Sequence, residues 1–364
     1  MTLPDRPVAT DSSARLAWID QARHQAFDEG HVSVGLSPLI ERSWQRCLAL
    51  GLNPRDKVVF DPVSPSHIKQ ALDKSQSLIS ASQPVIQTLT RALLHTRYFA
   101  LLTDADGVVL DVQGALDAQN PAARAIARVG VDLSEQRVGT TAIGACLADA
   151  EPIWLHRGEH FFDDNQVFSC AGAPIRGPQG HVLGMLDLTG VSVPEQPALK
   201  HLVTQAARSI ENALTLASPH ALLLRINWPG RLLGEDDDGL LCLDESGLTV
   251  GYNRPAAMML ELSPQGPLPH VSDVLAVDTH QLFDRARRSE GPTEVPLWSG
   301  LRVQVHAQRP VAGHTQSSLH ALPLRDMEAA RIRKAVDDAR GDVLAAARAL
   351  GISRATIYRK LGKR

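Results

Sequence analysis

The sequence predicts an α+β multidomain protein, and three observations predict it. Apolar residues recur at helical spacing through the first hundred positions. The period then changes: short apolar runs broken by Gly-rich turns fill residues 98–191 and recur after Gly239. The last forty residues return to helical spacing and become strongly basic. The expected divisions are a helical segment over 1–97, a sheet domain over 98–218, a second strand-containing module over 221–323 and an all-α unit over 325–364.

A chain of 364 residues is long enough for two or three domains, and 44% hydrophobic residues suffice for their cores. The net charge of −3 is unevenly placed. Residues 325–364 hold eleven Lys/Arg and five Asp/Glu, a balance of +6, which leaves −9 on the rest. A basic end on an acidic body suits a nucleic-acid module joined to something else. No apolar run approaches the ~20 residues of a membrane span, and the N-terminus has no apolar signal-peptide core. Cys47, Cys146, Cys170 and Cys242 lie far apart with no CxxC pair, which fits a reducing cytoplasm rather than a disulfide framework or zinc ribbon.

In chain order, a helix is expected from about Ser13. Leu36–Pro54 reads as the next helix: Ser37 caps it, Pro38 takes the first turn and Gly51 stops it. Ile40, Trp44, Cys47 and Leu48 form its apolar face. Residues 64–97 carry one or two further amphipathic helices. Tyr98–Gly114 is two apolar runs around an Asp-Ala-Asp-Gly turn, a hairpin. Three more strands are expected in EPIWLHRG and VFSCAGAPIRGPQGHVLGMLDLTG, closed by a helix over Pro197–Ala217. Strands flanked by helices make an antiparallel sheet the expected core.

Gly239–Leu262 reads strand, Glu-Ser-Gly turn, strand and short helix, with LWSGLRVQVHAQRPV and SSLHALPL as returning strands. This opening resembles that of a PAS domain, in which an Asn, here Asn253, ends the second strand. The third unit is therefore expected to be a PAS-like α+β module.

The preceding region carries Ser134-Glu135, Gly139-Thr140, Ala142-Ile143-Gly144, Glu159-His160-Phe161, Cys170, Ala173-Pro174-Ile175, Gly180, Gly184 and Leu186-Asp187-Leu188. In that order they resemble the GAF sensor domain of the acetoin-catabolism-regulator family. A Ser-Trp-x-Arg-Cys run at Ser43–Cys47 resembles the segment that precedes the sensor there. The resemblance implies a GAF-type antiparallel sheet sensor holding a small-molecule effector. Thr140, Thr141 and Ile143 would supply a close backbone approach and a helix start. His156, Glu159, His160 and Cys170 would offer polar groups beside Trp154 and Phe161. Two positions depart from the family: Leu133 stands for a common Trp and Thr141 for a common Asn.

The C-terminal unit is the most specific stretch. In Asp342–Leu361 an apolar helix (Val343, Ala346, Ala347, Leu350) meets Gly351, a residue suited to a sharp turn. Ser353 follows as an N-cap, with Ile352 before it and Ile357 four positions on as a hydrophobic staple. Ile357 and Leu361 face inward, so Ala355 and Arg359 face away. From Arg348 onward there are six basic residues and no acidic one. An apolar inner stripe and cationic outer face after a Gly turn is what a major-groove reader requires. The pattern AAR-LG-SR-TIYRKL resembles the Fis-type helix-turn-helix. Arg354, Ala355, Thr356, Tyr358 and Arg359, with Ser353 at the cap, would face the groove; Arg348, Lys360, Lys363 and Arg364 would meet phosphates.

Two chemistries are weighed against this reading. His156-x-x-Glu159-His160 fits the H-x-x-E-H zinc string and would make the chain a metal-dependent hydrolase. A strand precedes it, Gly158 interrupts it and no third ligand is evident, so a loop histidine is preferred. ATP-driven activation needs a G-x-x-x-x-G-K-[ST] loop; of seven lysines only Lys363 follows a Gly, and Arg364 comes next. A third alternative is a GAF/PAS sensor acting only through protein partners. The expectation is a cytoplasmic transcription regulator with no enzymatic activity and no cofactor. Its partners would be double-stranded DNA, a small-molecule effector, a second copy of the chain and RNA polymerase, with no membrane.

Overall fold

The computed structural model describes residues 12–30, 36–263 and 266–310, with Val343 and Ala347 beyond them. The chain forms two compact units, 1–310 and 311–364. In the second, Val343 and Ala347 are helical and Ala347 is buried. The strand expected in SSLHALPL lies outside the described residues.

The first unit opens with four helices: α1 Ser12–Phe27, α2 Pro38–Ala49, α3 Pro65–Lys74 and α4 Gln76–Ala92. Pro38 occupies the first turn of α2 as expected, where a missing N–H costs nothing. Ser37 sits at its N-cap without a side-chain cap bond. Ile40, Trp44 and Cys47 are buried, whereas Leu48 is exposed: Cys47, three residues after Trp44, takes the inward place in the last turn.

The hairpin follows as β1 Tyr98–Asp104 and β2 Val109–Gly114. Asp104 Oδ1 accepts from the backbone N–H of Asp106 and Val108, which is why Asp opens the turn. Three short helices come next: α5 Pro121–Ile126, α6 Glu135–Val138 and α7 Ala142–Asp149. Then come β3 Ile153–His156, β4 Phe168–Arg176 and β5 Val182–Val191, and the long helix α8 Leu199–Ala217. The five strands form one antiparallel sheet in the order β2-β1-β5-β4-β3.

Both faces of this sheet are covered, and period-2 alternation divides its side chains between them. Phe99, Leu101, Phe168, Cys170 and Met185 pack with Ile19, Ile40, Trp44, Ile126 and Ile143 from α1, α2, α5 and α7. Tyr98, Ala100, Leu102, Ala171, Leu186 and Leu188 pack on the other side with Leu78, Ile86, Val203 and Ile210 from α4 and α8.

The second sheet contains β6 Leu222–Asn227, β7 Gly239–Leu243, β8 Thr249–Tyr252, β9 Thr293–Pro296 and β10 Arg302–Gln308. Helices α9 Arg254–Met259, α10 Val271–Val274 and α11 Thr279–Arg287 lie between β8 and β9. The expected hairpin, Asn253 at its end and the short helix are all present: Asn253 caps α9 through Ala256 N–H. The segment LWSGLRVQVHAQRPV, read as a single strand, instead turns at residues 298–301 and contributes only β10 in full. Strand order is β8-β7-β6-β10-β9. This is the order of the first sheet with β6 in the place of β5, so the central strand comes first in the chain rather than last. Leu222–Asn227, given no element by the sequence, holds that centre. It pairs with β7 and β10 on its two sides.

Helix α8 meets both sheets. On the second, Asn212 Oδ1 accepts from Asn253 Nδ2 at 2.8 Å and the Thr215 hydroxyl donates to the Tyr252 carbonyl at 3.4 Å. The β4–β5 turn docks beside it, where Pro178 O accepts from Tyr252 N–H at 2.8 Å.

Candidate functional site

A small cavity lies between the first sheet and the helices on its α7 side. Its polar lining comes from Thr141, His160, Asn165, Cys170, Asp187 and Thr189. Apolar walls are contributed by Leu101, Ile126, Leu133, Ile143, Phe168 and Phe60. The centre of a water-sized sphere has about 20 Å³ in which to move, room for a water molecule. Phe60 and Thr141 are the half-buried members of this lining; the others are buried.

Three residues of this lining each carry a buried polar atom without a protein hydrogen-bond partner: His160 Nε2, Asn165 Oδ1 and Asp187 Oδ1. Such atoms are rare in folded proteins because each forfeits its hydration. Asp187 lies mid-strand on β5, and its other oxygen accepts the Thr189 hydroxyl. Cys170 Sγ is 3.2 Å from that same Thr189 oxygen. Burial pushes the Asp187 carboxyl up to about 7, and the Thr189 bond offsets only part of this. Burial likewise lowers His160 to about 4. Burial and the Asp187 charge both drive the Cys170 thiol well above its ordinary value, so it is no thiolate.

Four of the nine residues expected at an effector site meet here: Thr141, Ile143, His160 and Cys170. Thr141 also caps α7, accepting from Gly144 N–H at 3.1 Å. The two positions that depart from the family pattern, Leu133 and Thr141, both line the cavity.

The other five lie elsewhere. Trp154 and His156 belong to the opposite face of the sheet, because Leu155, between them, pairs with Cys170 and shares its face. His156 Nδ1 meets Ser169 Oγ at 2.8 Å and Trp154 donates to Glu195. Thr140 accepts from Ser43 Oγ at 2.8 Å beneath α2. Glu159 accepts from Arg15 at 2.8 Å and from His156 N–H at 2.7 Å. Phe161 packs edge-on against Phe27 and Phe162. The zinc string is thereby dispersed, and among the described residues no three His, Cys, Asp or Glu are grouped to hold a metal ion.

Asn165, Asp187 and Thr189 were missed as site residues. A signal existed for Asp187, the one charged residue of β5. Asn165, in a short helical turn between β3 and β4, carried none.

The DNA-contact residues Arg348, Ser353, Arg354, Ala355, Thr356, Tyr358, Arg359, Lys360, Lys363 and Arg364 lie outside the described residues. No helix among the described residues is long and apolar enough to cross a membrane.

Comparison with known proteins bears on both ends. Residues 323–363 match the bacterial regulatory protein family of Fis type. The acetoin catabolism regulatory protein of Cupriavidus necator is 28% identical over 229 residues, 61% of this chain and 34% of that one. The acetoin dehydrogenase operon transcriptional activator AcoR of Bacillus subtilis is 28% identical over 203 residues, 56% of this chain and 34% of that one. The propane 2-monooxygenase operon transcriptional activator MimR of Mycolicibacterium goodii is 30% identical over 198 residues, 53% of this chain and 33% of that one. The chain thus spans about a third of the length of these relatives. Residues 18–212, more than half of the chain, match the MimR N-terminal domain. The chain belongs to that family.

Proposed function

We propose that this chain is a ligand-responsive transcription regulator without enzymatic activity. A small-molecule effector occupies the cavity of the first sheet, within a GAF sensor over 98–218. The PAS-like module over 221–323 lies next in the chain, before the helix-turn-helix. That C-terminal motif binds double-stranded DNA. One such motif reads too few base pairs for specificity, so two copies of the chain act on a near-palindromic site. RNA polymerase is the downstream partner, and the cytoplasm is where it works. No P-loop string occurs within these 364 residues, so the proposal carries no ATP-driven step.

The observation that carries this reading is the Fis-family match at 323–363 in a chain whose family includes regulators of catabolic operons. The cavity supplies the place for the sensing half: mostly apolar, with a few polar residues in its lining, it holds about one water as it stands and widens to admit an effector. The test is a gel shift of the full chain on DNA upstream of its own gene, against scrambled competitor at matched salt. Retention by specific DNA alone, altered by added catabolites, is the expected result. Equal displacement by both competitors would remove the regulator reading.

A further inference from the structure

We propose that the two sheets of the first unit move as one body, with α8 as a core helix of both and Asn253 as the fastener, so that a displacement of α8 reaches the second sheet with no hinge between them. The coupling is independent of which effector or DNA the chain takes. A helix at a surface buries one stripe, but every residue of α8 from Ile210 to Thr215 is buried. Ile210 and Leu214, one turn apart, pack into the core of the first sheet with Leu186 and Leu188. Asn212 and Leu216, likewise one turn apart, lie on the opposite side of the helix. Leu216 packs there against Leu223, Leu240 and Cys242 of the second sheet.

The polar contacts are buried and mutually satisfied. Asn253 Oδ1 accepts from Leu240 N–H at 2.8 Å and Ala256 N–H at 3.0 Å. Its Nδ2 donates to the Asp238 carbonyl at 2.7 Å and to Asn212 Oδ1 at 2.8 Å, which uses its whole bonding capacity. One side chain thus ties α8 to β7 and α9. Asn212 in turn donates to the Asp236 carbonyl at 2.9 Å. Toward the first sheet, Glu211 Oε1 accepts from Arg176 N–H at the end of β4, at 2.8 Å. Asn212, Thr215 and Asn253 are each no more than 4% exposed. A small rotation between the sheets would leave such groups unpaired yet still away from water, which is the costly case.

The connection between the sheets is tethered at both ends. Residues 218–221 separate α8 from β6. Ala221 N–H already donates to the Leu243 carbonyl at 2.7 Å, and the Ser218 hydroxyl donates back to the Leu214 carbonyl at 3.2 Å. The β4–β5 turn also fits closely against β8: a Cβ on Gly251 would lie 3.0 Å from Cβ of Pro178. Domains that meet through a small polar interface move and unfold separately. A helix whose two sides belong to two cores cannot be lost by one and kept by the other, so the sheets should open together.

The experiment is native-state hydrogen exchange of the full chain across a urea series, read by mass spectrometry on peptides from β4–β5 and from β6–β7. We expect the two sets to share one urea midpoint and one slope, because each exchanges only when the whole body opens. Strands β6 and β7 opening at a resolvably different midpoint from β4 and β5 would overturn the one-body proposal. Asn212→Ala, Asn253→Ala and the double variant test the fastener. Each single change should lower the midpoint of both peptide sets together, and the double variant should lose less than the sum of the two. A loss confined to β6–β7, or strictly additive losses, would overturn the role given to Asn253. The wild-type series decides the one-body question even if no variant folds. Failure of the gel shift is separable, since exchange is read on protein alone.

Discussion

The guanidinium of Arg23 donates to the carbonyl oxygen of His160 at 2.5 Å, although 137 residues separate them. The same group reaches the carbonyls of Gly158 and Phe161 and the carboxylate of Asp163. It lies over Phe27, 5.0 Å from the ring centre. The first helix thus holds the backbone of a residue whose ring lines the cavity. The cavity lining runs from Phe60 to Thr189, so no short stretch of the chain contains it.

Arg23→Ala should destabilise the first unit by roughly 3 kcal/mol, because several buried carbonyls lose their donor at once. Arg23→Lys should recover little, since an ammonium lacks the planar fork that spans three carbonyls. Urea unfolding of the full chain measures both. A lysine variant as stable as wild type would contradict the role assigned to the fork.

Asp187 carries a pH signature of definite sign. Its unfolded value is 3.8 and its folded value about 7, raised by burial. Between these the folded state holds the extra proton, so this residue's contribution falls as pH rises and is fully lost above about 7. Glu211, also pushed up to about 7, acts in the same direction. His156 and His160, lowered to about 4, act oppositely and lose stability as pH falls below 6.5. The wild-type profile mixes these effects, whereas Asp187→Asn isolates one of them. The variant should gain roughly 2–4 kcal/mol on wild type between pH 5 and pH 8. Parallel melting curves across that range would show that Asp187 is ionised throughout.

Gly184 sits where β5 crosses β1. A Cβ there would lie 2.0 Å from the Thr103 carbonyl oxygen and 2.9 Å from Leu78. The first is backbone and cannot swing aside, so Gly184→Ala should cost more than roughly 3 kcal/mol. Gly291→Ala, with nothing within 4 Å, should stay within about 0.5 kcal/mol. Thermal denaturation compares the pair, and equal melting temperatures would refute the packing argument.

At the DNA end, Arg359 is expected opposite the inward-facing Ile357. If it reads a guanine edge, Arg359→Ala should cost roughly 1–3 kcal/mol and relax preference at one base pair. Lys363→Ala should weaken all sequences alike and reduce the salt slope by about 1. Fluorescence anisotropy with a panel of operator variants separates the two. Sequence-independent losses from both substitutions would assign Arg359 to the backbone instead.

Much of this protein is written locally. Proline at the start of α2, aspartate at the head of the β1–β2 and β7–β8 turns, Asn253 capping α9 and the period change near Tyr98 all act within a few residues, so the sequence alone placed these elements. It also carried the family strings that led to Thr141, Ile143, His160 and Cys170. What it did not contain was the facing of β3 against β4. Alternation states that Trp154 and Leu155 point opposite ways, but pairing register and the helices covering each face decide which way is which. The central place of β6 was hidden similarly, since strand order is a property of pairing between distant segments. His160, Asn165 and Asp187 line one cavity only because a loop held by Arg23, a short turn and a mid-sheet strand close around it. Hydrogen bonding between neighbours is legible in one dimension; the desolvation of these three side chains arises only when non-local surfaces exclude water.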